Sequence, residues 1–347
     1  MLFLQQENFM ILVTGGTGFL GAHLLLELCE QVKKVRALKR PSSDVDFIRI
    51  VFTFYGKGAL YERIEWVDGD ICDIHSLITA MQDVDLVYHC AATVTFSDKD
   101  SKKLMKNNVQ GTANIVDAAL ESGVRKLCHV SSIAVLGKAE VMSDDTLWDA
   151  REKHSKYAES KYQAELEVWR GVAEGLDAFV IRPSVILGPW KQTNGISVLF
   201  RKIENGLPYY APGATAYVDV RDVARAMTGL MESHVKNDGF IASAENLSYQ
   251  QFFNMVAETL GKPAPGRCAG RFMTGMAWRF FAIKDFFTGK DSGFNKTTAA
   301  ISRSISKYSN NKLTETLSFS YIPIKESLFN IYRFNQFLSD KNHEKNN

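Results

Sequence analysis

Residues 10–21 read MILVTGGTGFLG, and this stretch decides the fold. Met10 to Val13 have the composition of a short buried strand and run directly into Thr14 and a glycine-rich turn. Glycines stand at 15, 18 and 21, and Leu24, Leu25 and Leu28 then mark one face of a helix over Gly21–Cys29. Side chains are missing where a strand turns into a helix, so something large can approach the backbone there. A dinucleotide pyrophosphate on the helix N-terminus fits, because unpaired amides and the helix dipole favour an anion. Gly15, Thr17, Gly18, Phe19 and Leu20 are the candidate contacts on this turn.

Outward from the turn, β-branched runs alternate with helical stretches. Further strands are predicted in KKVRALKR (33–40), IEWVDGDI (64–71), VDLVYHCAA (84–92), KLCHVSS (126–132) and DAFVIRPS (177–184), with helices over 107–122 and 156–174. The order predicts an α/β chain, a Rossmann-type doubly wound parallel sheet with its ligand over the strand C-termini. Past residue 184, proline and glycine punctuate ILGPWKQTNG and ENGLPYYAPGAT, which predicts a smaller C-terminal substrate-binding lobe. The expected division is a dinucleotide-binding domain over 10–184, with 217–243 returning to it. Residues 185–216 and 244–330 form the lobe, and 331–347 a polar tail with a disordered end.

The second strand ends Lys39-Arg40-Pro41-Ser42-Ser43, with no acid before Asp44. A carboxylate at that place would accept from ribose hydroxyls and repel a 2′-phosphate, whereas a guanidinium binds the phosphate in a fork. Arg40 therefore favours NADP(H), with NAD(H) as the other possibility. In YAESK, Tyr157 and Lys161 are four apart in a helical stretch and share a face. A nearby ammonium favours the phenolate, which predicts that Lys161 depresses the Tyr157 pKa. HVSSIAVLG places Ser131 or Ser132 at the same sheet edge as the glycine turn. A hydroxyl donor beside a tyrosine acid, opposite a nicotinamide, makes a site for carbonyl/alcohol interconversion.

The bulk composition excludes other classes. Over 347 residues the formal net charge is +2 with no dense Lys/Arg block, so no nucleic-acid partner is expected. Cysteines 29, 72, 90, 128 and 268 are scattered and form no CxxC, which reads as reduced thiols of a cytoplasmic protein with no metal site. The most apolar segment, 268–287, is interrupted by Arg271, Arg279, Lys284 and Asp285, so no stable membrane insertion is expected. Within it Phe272, Met276, Phe280 and Ile283 form a helical stripe. That stripe suits lobe packing, a lid over an apolar substrate, or a membrane-surface or dimer contact.

With these motifs in place, the chain resembles an extended short-chain dehydrogenase/reductase, the group also called the NAD-dependent epimerase/dehydratase family, over residues 10 to about 330. TGGTGFLG corresponds to the family's glycine motif, YAESK to its Tyr-x-x-x-Lys, and VSSIAVLG to the strand ending in the active-site serine. The register of Gly137 implies Ser132 for that role. DGDI (68–71) resembles the adenine-holding segment, implying Asp70 with Ile71 beside it, and HCAAT (89–93) the strand end under the cofactor, implying Ala91, Ala92 and Thr93. NNVQGT (107–112) is similar to the family's Asn-Val-x-Gly-Thr helix start, and RPSVILGP (182–189) to the strand end near the nicotinamide, implying Pro183. VRALKRPSS and the 294–328 segment resemble the dihydroflavonol-reductase and 3β-hydroxysteroid-dehydrogenase branch, with Ser318 where glycine is common.

The resemblance implies a Ser132–Tyr157–Lys161 set. Tyr157 would donate a proton to the developing alkoxide, Ser132 would hydrogen-bond the same oxygen, and Lys161 would hold the nicotinamide ribose. It also implies a proton-relay water at Asn108, a position that extended members use less regularly. Sugar-nucleotide dehydratases carry Thr-Asp-Glu where this chain reads Ser-Ser-Ile, so dehydration is disfavoured. Between 186 and 216 only Lys191, Arg201 and Lys202 are basic, with no paired-arginine clamp for a sugar-nucleotide diphosphate. The expected substrate is thus a small, apolar or modestly polar carbonyl compound or alcohol. An NAD-dependent nucleotide-sugar epimerase and a non-catalytic dinucleotide sensor remain the alternatives. His154, between charged neighbours, reads as a solvated residue. A homodimer through the helices at 107–122 and 156–174 is a further expectation.

Overall fold

The computed structural model describes residues 9–346 except 96, 193–194, 271–272, 274–275 and 277–295. Of the aromatic stripe, Phe272, Phe280 and Ile283 thus lie outside the described residues, and Met276 is exposed. Strands β1 (Ile11–Thr14), β2 (Val35–Lys39), β3 (Ile64–Asp68), β4 (Leu86–His89), β5 (Lys126–Val130) and β6 (Ala178–Pro183) lie within the segments the sequence marks or one residue beyond them. With a later strand, 238–242, they form a seven-stranded sheet whose pairings are all parallel. Strand β1 sits between β2 and β4, so the chain reverses its winding at the β1–β4 boundary and opens a crevice there at the strand C-termini.

Helices cover both faces. Helix α1 (Phe19–Gln31) carries Leu24, Leu25 and Leu28, all fully buried, against one face. Helix α2 (Asp46–Phe54) adds Ile48 and Phe52 to that layer, and α3 (Ile74–Ala80) puts Leu77 on the opposite face. Helices α4 (Gly111–Glu121) and α5 (Lys156–Ala173) complete that second layer, with Ile115, Val116 and Val168 packed on Leu127 and Val180. Alternate residues of each strand feed the two cores, as a period of two requires.

Beyond β6 a smaller assembly follows: β7 (Val185–Leu187), α6 (Gly195–Glu204), β8 (Tyr209–Tyr210) and β9 (Ala214–Asp219). Helix α7 (Val220–Glu232) then packs on α1, and β10 (Asp238–Ala242) adds to the edge of the main sheet beside β6. Strand β9 does not return with them. It lies in a three-stranded sheet between β7 and β11 (Glu245–Ser248). Helix α8 (Tyr249–Leu260), β12 (Arg267–Cys268), α9 (Lys296–Ile301) and α10 (Asn311–Leu317) precede the last helix, α11 (Ile324–Asn346).

The expected polar tail at 331–347 is not a tail: α11 runs through it. Ile324, Leu328 and Ile331 enter a third core with Leu187, Phe200, Tyr217 and Phe252, and Phe334 meets Phe47 and Phe54 edge-on. Tertiary packing nucleates that helix, and each further polar residue extends it at little cost. Among the described residues no helix is long and apolar enough to cross a membrane.

Candidate active site

The crevice between β1 and β4 is walled by backbone. Gly15 has φ +71°, and a Cβ there would lie 2.6 Å from the Ala91 nitrogen. A Cβ on Gly21 would lie 2.1 Å from the Gly15 carbonyl oxygen, so helix α1 starts against the turn only because that side chain is absent. Gly18 is the N-cap of α1; no side chain caps it and no acid stands in the first turn. A helix N-terminus left uncapped beside a cleft suits a phosphate or pyrophosphate.

The cavity in front of it measures about 340 Å³ and is lined by Gly15, Thr17, Gly18, Arg40, Asp70, Ile71, Ala91, Ala92 and Thr93 among others. Five other cofactor candidates, Phe19, Leu20, Tyr157, Lys161 and Pro183, do not line it, and neither does Ser132. The Phe19 ring packs against His23 and Trp190, Leu20 lies in the main core, and Pro183 is buried at the end of β6. Phe19 and Leu20 are therefore left with only their helix-start amides to offer a ligand.

At one end of the cleft, Lys39 is ion-paired with Asp68, whereas the exposed Arg40 has no ion pair among the described residues. Asp70 Oδ1 accepts from the Cys72 amide at 2.9 Å, and the Ile71 carbonyl accepts from Asn114 at 2.9 Å, which fixes the turn that carries both candidates. Sequence reasoning missed Ser43, Lys103 and Asn107, which also line the cavity. Ser43 and Asn107 directly adjoin motifs already marked, but the pattern around Lys103 carries no such signal.

A π-helical turn at Met105–Gln110 widens the chain just before α4. There the consecutive Asn107 and Asn108 both reach Thr93. Asn107 Nδ2 donates to Thr93 Oγ1 at 2.9 Å, while Asn108 accepts from the Thr93 amide at 2.7 Å and donates to its carbonyl at 3.0 Å. Asn108 also donates to Ser160 Oγ at 3.0 Å. Both N–H groups of its amide and one acceptor position of its oxygen thus tie the cleft wall to α5.

Ser155 caps α5, its Oγ accepting from the Ala158 amide at 3.1 Å, and Tyr157 and Lys161 occupy the first turns. The Tyr157 hydroxyl hydrogen-bonds Ser132. Ser131, also considered from the sequence, is buried with no partner for its hydroxyl among the described residues. Lys161 is 2% exposed, and its Nζ donates to the Val130 carbonyl at 2.7 Å. Burial brings the Lys161 pKa down to about 8, against the opposing pull of Glu165 and Cys90. Burial also raises the Tyr157 pKa, and the Ser132 hydrogen bond only partly offsets this. The expected depression of Tyr157 by Lys161 is therefore not what this geometry gives, because the ammonium is directed to the end of β5 and desolvation of the phenolate dominates. Near neutral pH the phenol keeps its proton.

His154 also departs from expectation. Its ring stacks on Trp148 at 3.5 Å, Nε2 meets the Asp149 carbonyl at 2.8 Å, and Trp148 stacks on Tyr162 as well. Among the described residues no group of histidine, cysteine and carboxylate side chains is set to hold a metal ion.

The sequence model of the family described as NAD dependent epimerase/dehydratase matches residues 11–241. The chain belongs to that family. It is an NAD(P)-dependent oxidoreductase of the extended short-chain dehydrogenase/reductase class. A Synechocystis sp. protein provisionally named dihydroflavonol 4-reductase is 34% identical over 266 residues, 73% of each chain. Sterol demethylase protein B of Methylococcus capsulatus is 30% identical over 294 residues, 82% of this chain and 85% of its own. Among solved structures, gox2253 superposes with a TM-score of 0.80 at 26% identity, covering 94% of this chain and 98% of its own.

Proposed function

We propose that this member of the family is an NADP(H)-dependent reductase, or the reverse dehydrogenase, acting on a ketone or aldehyde of a small apolar or modestly polar molecule. The observation that carries the reading is a half-buried Tyr157 whose phenol hydrogen-bonds Ser132, with the buried Lys161 one turn further along the same helix. Bound in the glycine-walled cleft, a reduced nicotinamide dinucleotide supplies the hydride. Tyr157 donates its proton to the carbonyl oxygen as negative charge develops there, and Ser132 donates a hydrogen bond to the same oxygen. Lys161 holds the nicotinamide ribose and balances the charge left on Tyr157. Arg40 takes the 2′-phosphate, and Asp70 faces the adenine.

Support for an apolar substrate comes from the segments flanking this set. Val94 follows Thr93 and is 66% exposed, and the loop between Ser132 and Tyr157 exposes Val141 and Leu147. Of the cations of that loop, Lys138 pairs with Glu152 at 3.1 Å, Arg151 with Asp149 at 2.9 Å and Lys156 with Glu159 at 2.8 Å, which leaves Lys153 as the loop lysine without an ion pair among the described residues. A relative named for a sterol and another named for a flavonol agree with that preference.

Tyr157→Phe provides the test, with NADPH and a panel of apolar ketones and aldehydes. Turnover is expected to fall by roughly 10²–10⁴-fold with NADPH affinity nearly unchanged. Turnover that survives the substitution, or NAD that co-purifies and will not wash out, would overturn the reading.

A further inference from the structure

Beneath the site lies a layer of buried polar groups that the chemistry above does not use. On the face of the sheet covered by α4 and α5, His89 at the end of β4 and His129 near the end of β5 are each 1% exposed, with ring centroids 5.3 Å apart. His89 is held at both nitrogens, Nδ1 by Thr14 Oγ1 at 2.7 Å and Nε2 by Thr112 Oγ1 at 3.1 Å. Thr112 in turn donates to the Asn108 carbonyl at 2.6 Å, so its hydroxyl oxygen accepts from His89 Nε2–H, and Nδ1 accepts from Thr14. Thr14 is the last residue before the glycine turn. His89 is therefore a fixed support between the dinucleotide turn and its neighbour His129.

His129 Nε2 lies 3.5 Å from Lys161 Nζ. An ammonium has hydrogens to give and no lone pair, so the imidazole nitrogen facing it is the acceptor and the ring proton is on Nδ1. Burial, Lys161 and His89 together hold His129 far below its ordinary pKa, which keeps it neutral and able to accept. With the Val130 carbonyl at 2.7 Å, strand β5 takes two of the three ammonium hydrogens of Lys161. The third has no partner among the described residues.

We propose that His129 is a positioning residue for Lys161: as a neutral acceptor braced by His89, it aims the buried ammonium so that one N–H is presented to the nicotinamide ribose. The inference rests on the role assigned to Lys161 above. Through Thr14 and His89 it ties the placing of that lysine to the strand that carries the glycine turn.

NADPH binding, followed by fluorescence across the pH range from about 6 to about 10, tests this without a known substrate. The groups facing Lys161 are His129 on β5, His89 and Cys90 at and just past the end of β4, and Glu165 on its own helix. Wild-type affinity is expected to fall on the alkaline side as Lys161 loses its proton. His129→Phe keeps the ring and removes the acceptor, so the charged lysine loses a partner. Its alkaline limb is expected to move down by about one pH unit, with NADPH affinity several-fold weaker at neutral pH. His129→Gln retains an acceptor and is expected to restore most of both. Lys161→Met is the reference. If it leaves NADPH affinity and the pH profile unchanged, the role of Lys161 falls and this proposal with it. If Lys161→Met weakens binding but His129→Phe leaves the limb in place, only the role of His129 falls. Equal damage from Phe and Gln with an unmoved limb also overturns it, since that marks a packing role.

Discussion

Arg40→Ala isolates the choice of cofactor. Lys39 is neutralised by Asp68, whereas the exposed Arg40 beside it lines the cleft with no ion pair among the described residues. A charge-assisted hydrogen bond is worth about 1.5–3 kcal/mol, and exposure of the guanidinium to solvent keeps the value in the lower part of that range. A loss of about 1.5–2 kcal/mol corresponds to a roughly 10–30-fold fall in NADPH affinity. NADH lacks the 2′-phosphate, so its affinity is expected to stay within about twofold. Parallel fluorescence titrations of both cofactors, wild type and variant, measure the ratio directly. Raising ionic strength from about 0.15 M to about 1 M shortens the screening length from about 8 Å to about 3 Å, and should compress the wild-type preference while leaving Arg40→Ala flat. Equal loss for both cofactors, or a wild type with no preference, refutes the assignment of Arg40 and moves the reading toward NAD.

Gly15→Ala places a Cβ 2.6 Å from the Ala91 nitrogen at φ +71°, so about 2–4 kcal/mol of stability should be lost in urea titration, with weaker dinucleotide binding in the folded fraction. Lys126 is a buried cation whose Nζ donates to the carbonyls of Leu230, Met231 and Ser233 at 2.8, 3.3 and 3.0 Å, closing the C-terminal end of α7, and Lys126→Met should cost about 2–3 kcal/mol. Burial lowers its pKa from 10.5 to about 8, so across that window the unfolded chain keeps a proton that the folded chain releases. Stability therefore rises with pH there, and Lys126→Met should show a shallower rise in urea midpoints; an unchanged slope would show that Lys126 does not titrate in that window.

The main sheet was legible because its strands are buried on both faces and read as continuous apolar runs such as ILV and LVY, each ending at a turn. The site was legible to a similar degree, since glycines and a Tyr–Lys pair at helical spacing carry local signals. What the sequence concealed depends on long-range contact. Helix α11 looked like a tail because its last residues are polar, and only Ile331 and Phe334, docked in two separate clusters, reveal the helix. Strand β9 was assigned with α7 because they are continuous in sequence, yet its partners are β7 and β11, strands from either side of it in the chain. Asn108 sits in a recognisable motif, but the π-helical turn that sends it to Thr93 leaves no mark in residue types.

The same distinction explains why the electrostatics of the pair were misread. Spacing alone places Tyr157 and Lys161 on one helix face and suggests that the ammonium acts on the phenol. The structure adds the strand end, where the Val130 carbonyl and His129 attract that ammonium downward, while the phenol meets Ser132. Two consequences follow for the chemistry. Under the proposed reduction Tyr157 would serve as the acid, and a phenol whose pKa is raised by desolvation keeps the proton it is to give. And under the proposed reduction, proton donation would leave a phenolate on Tyr157, and whatever stabilisation the Lys161 ammonium one turn away gives that anion would equally be a lower Tyr157 pKa.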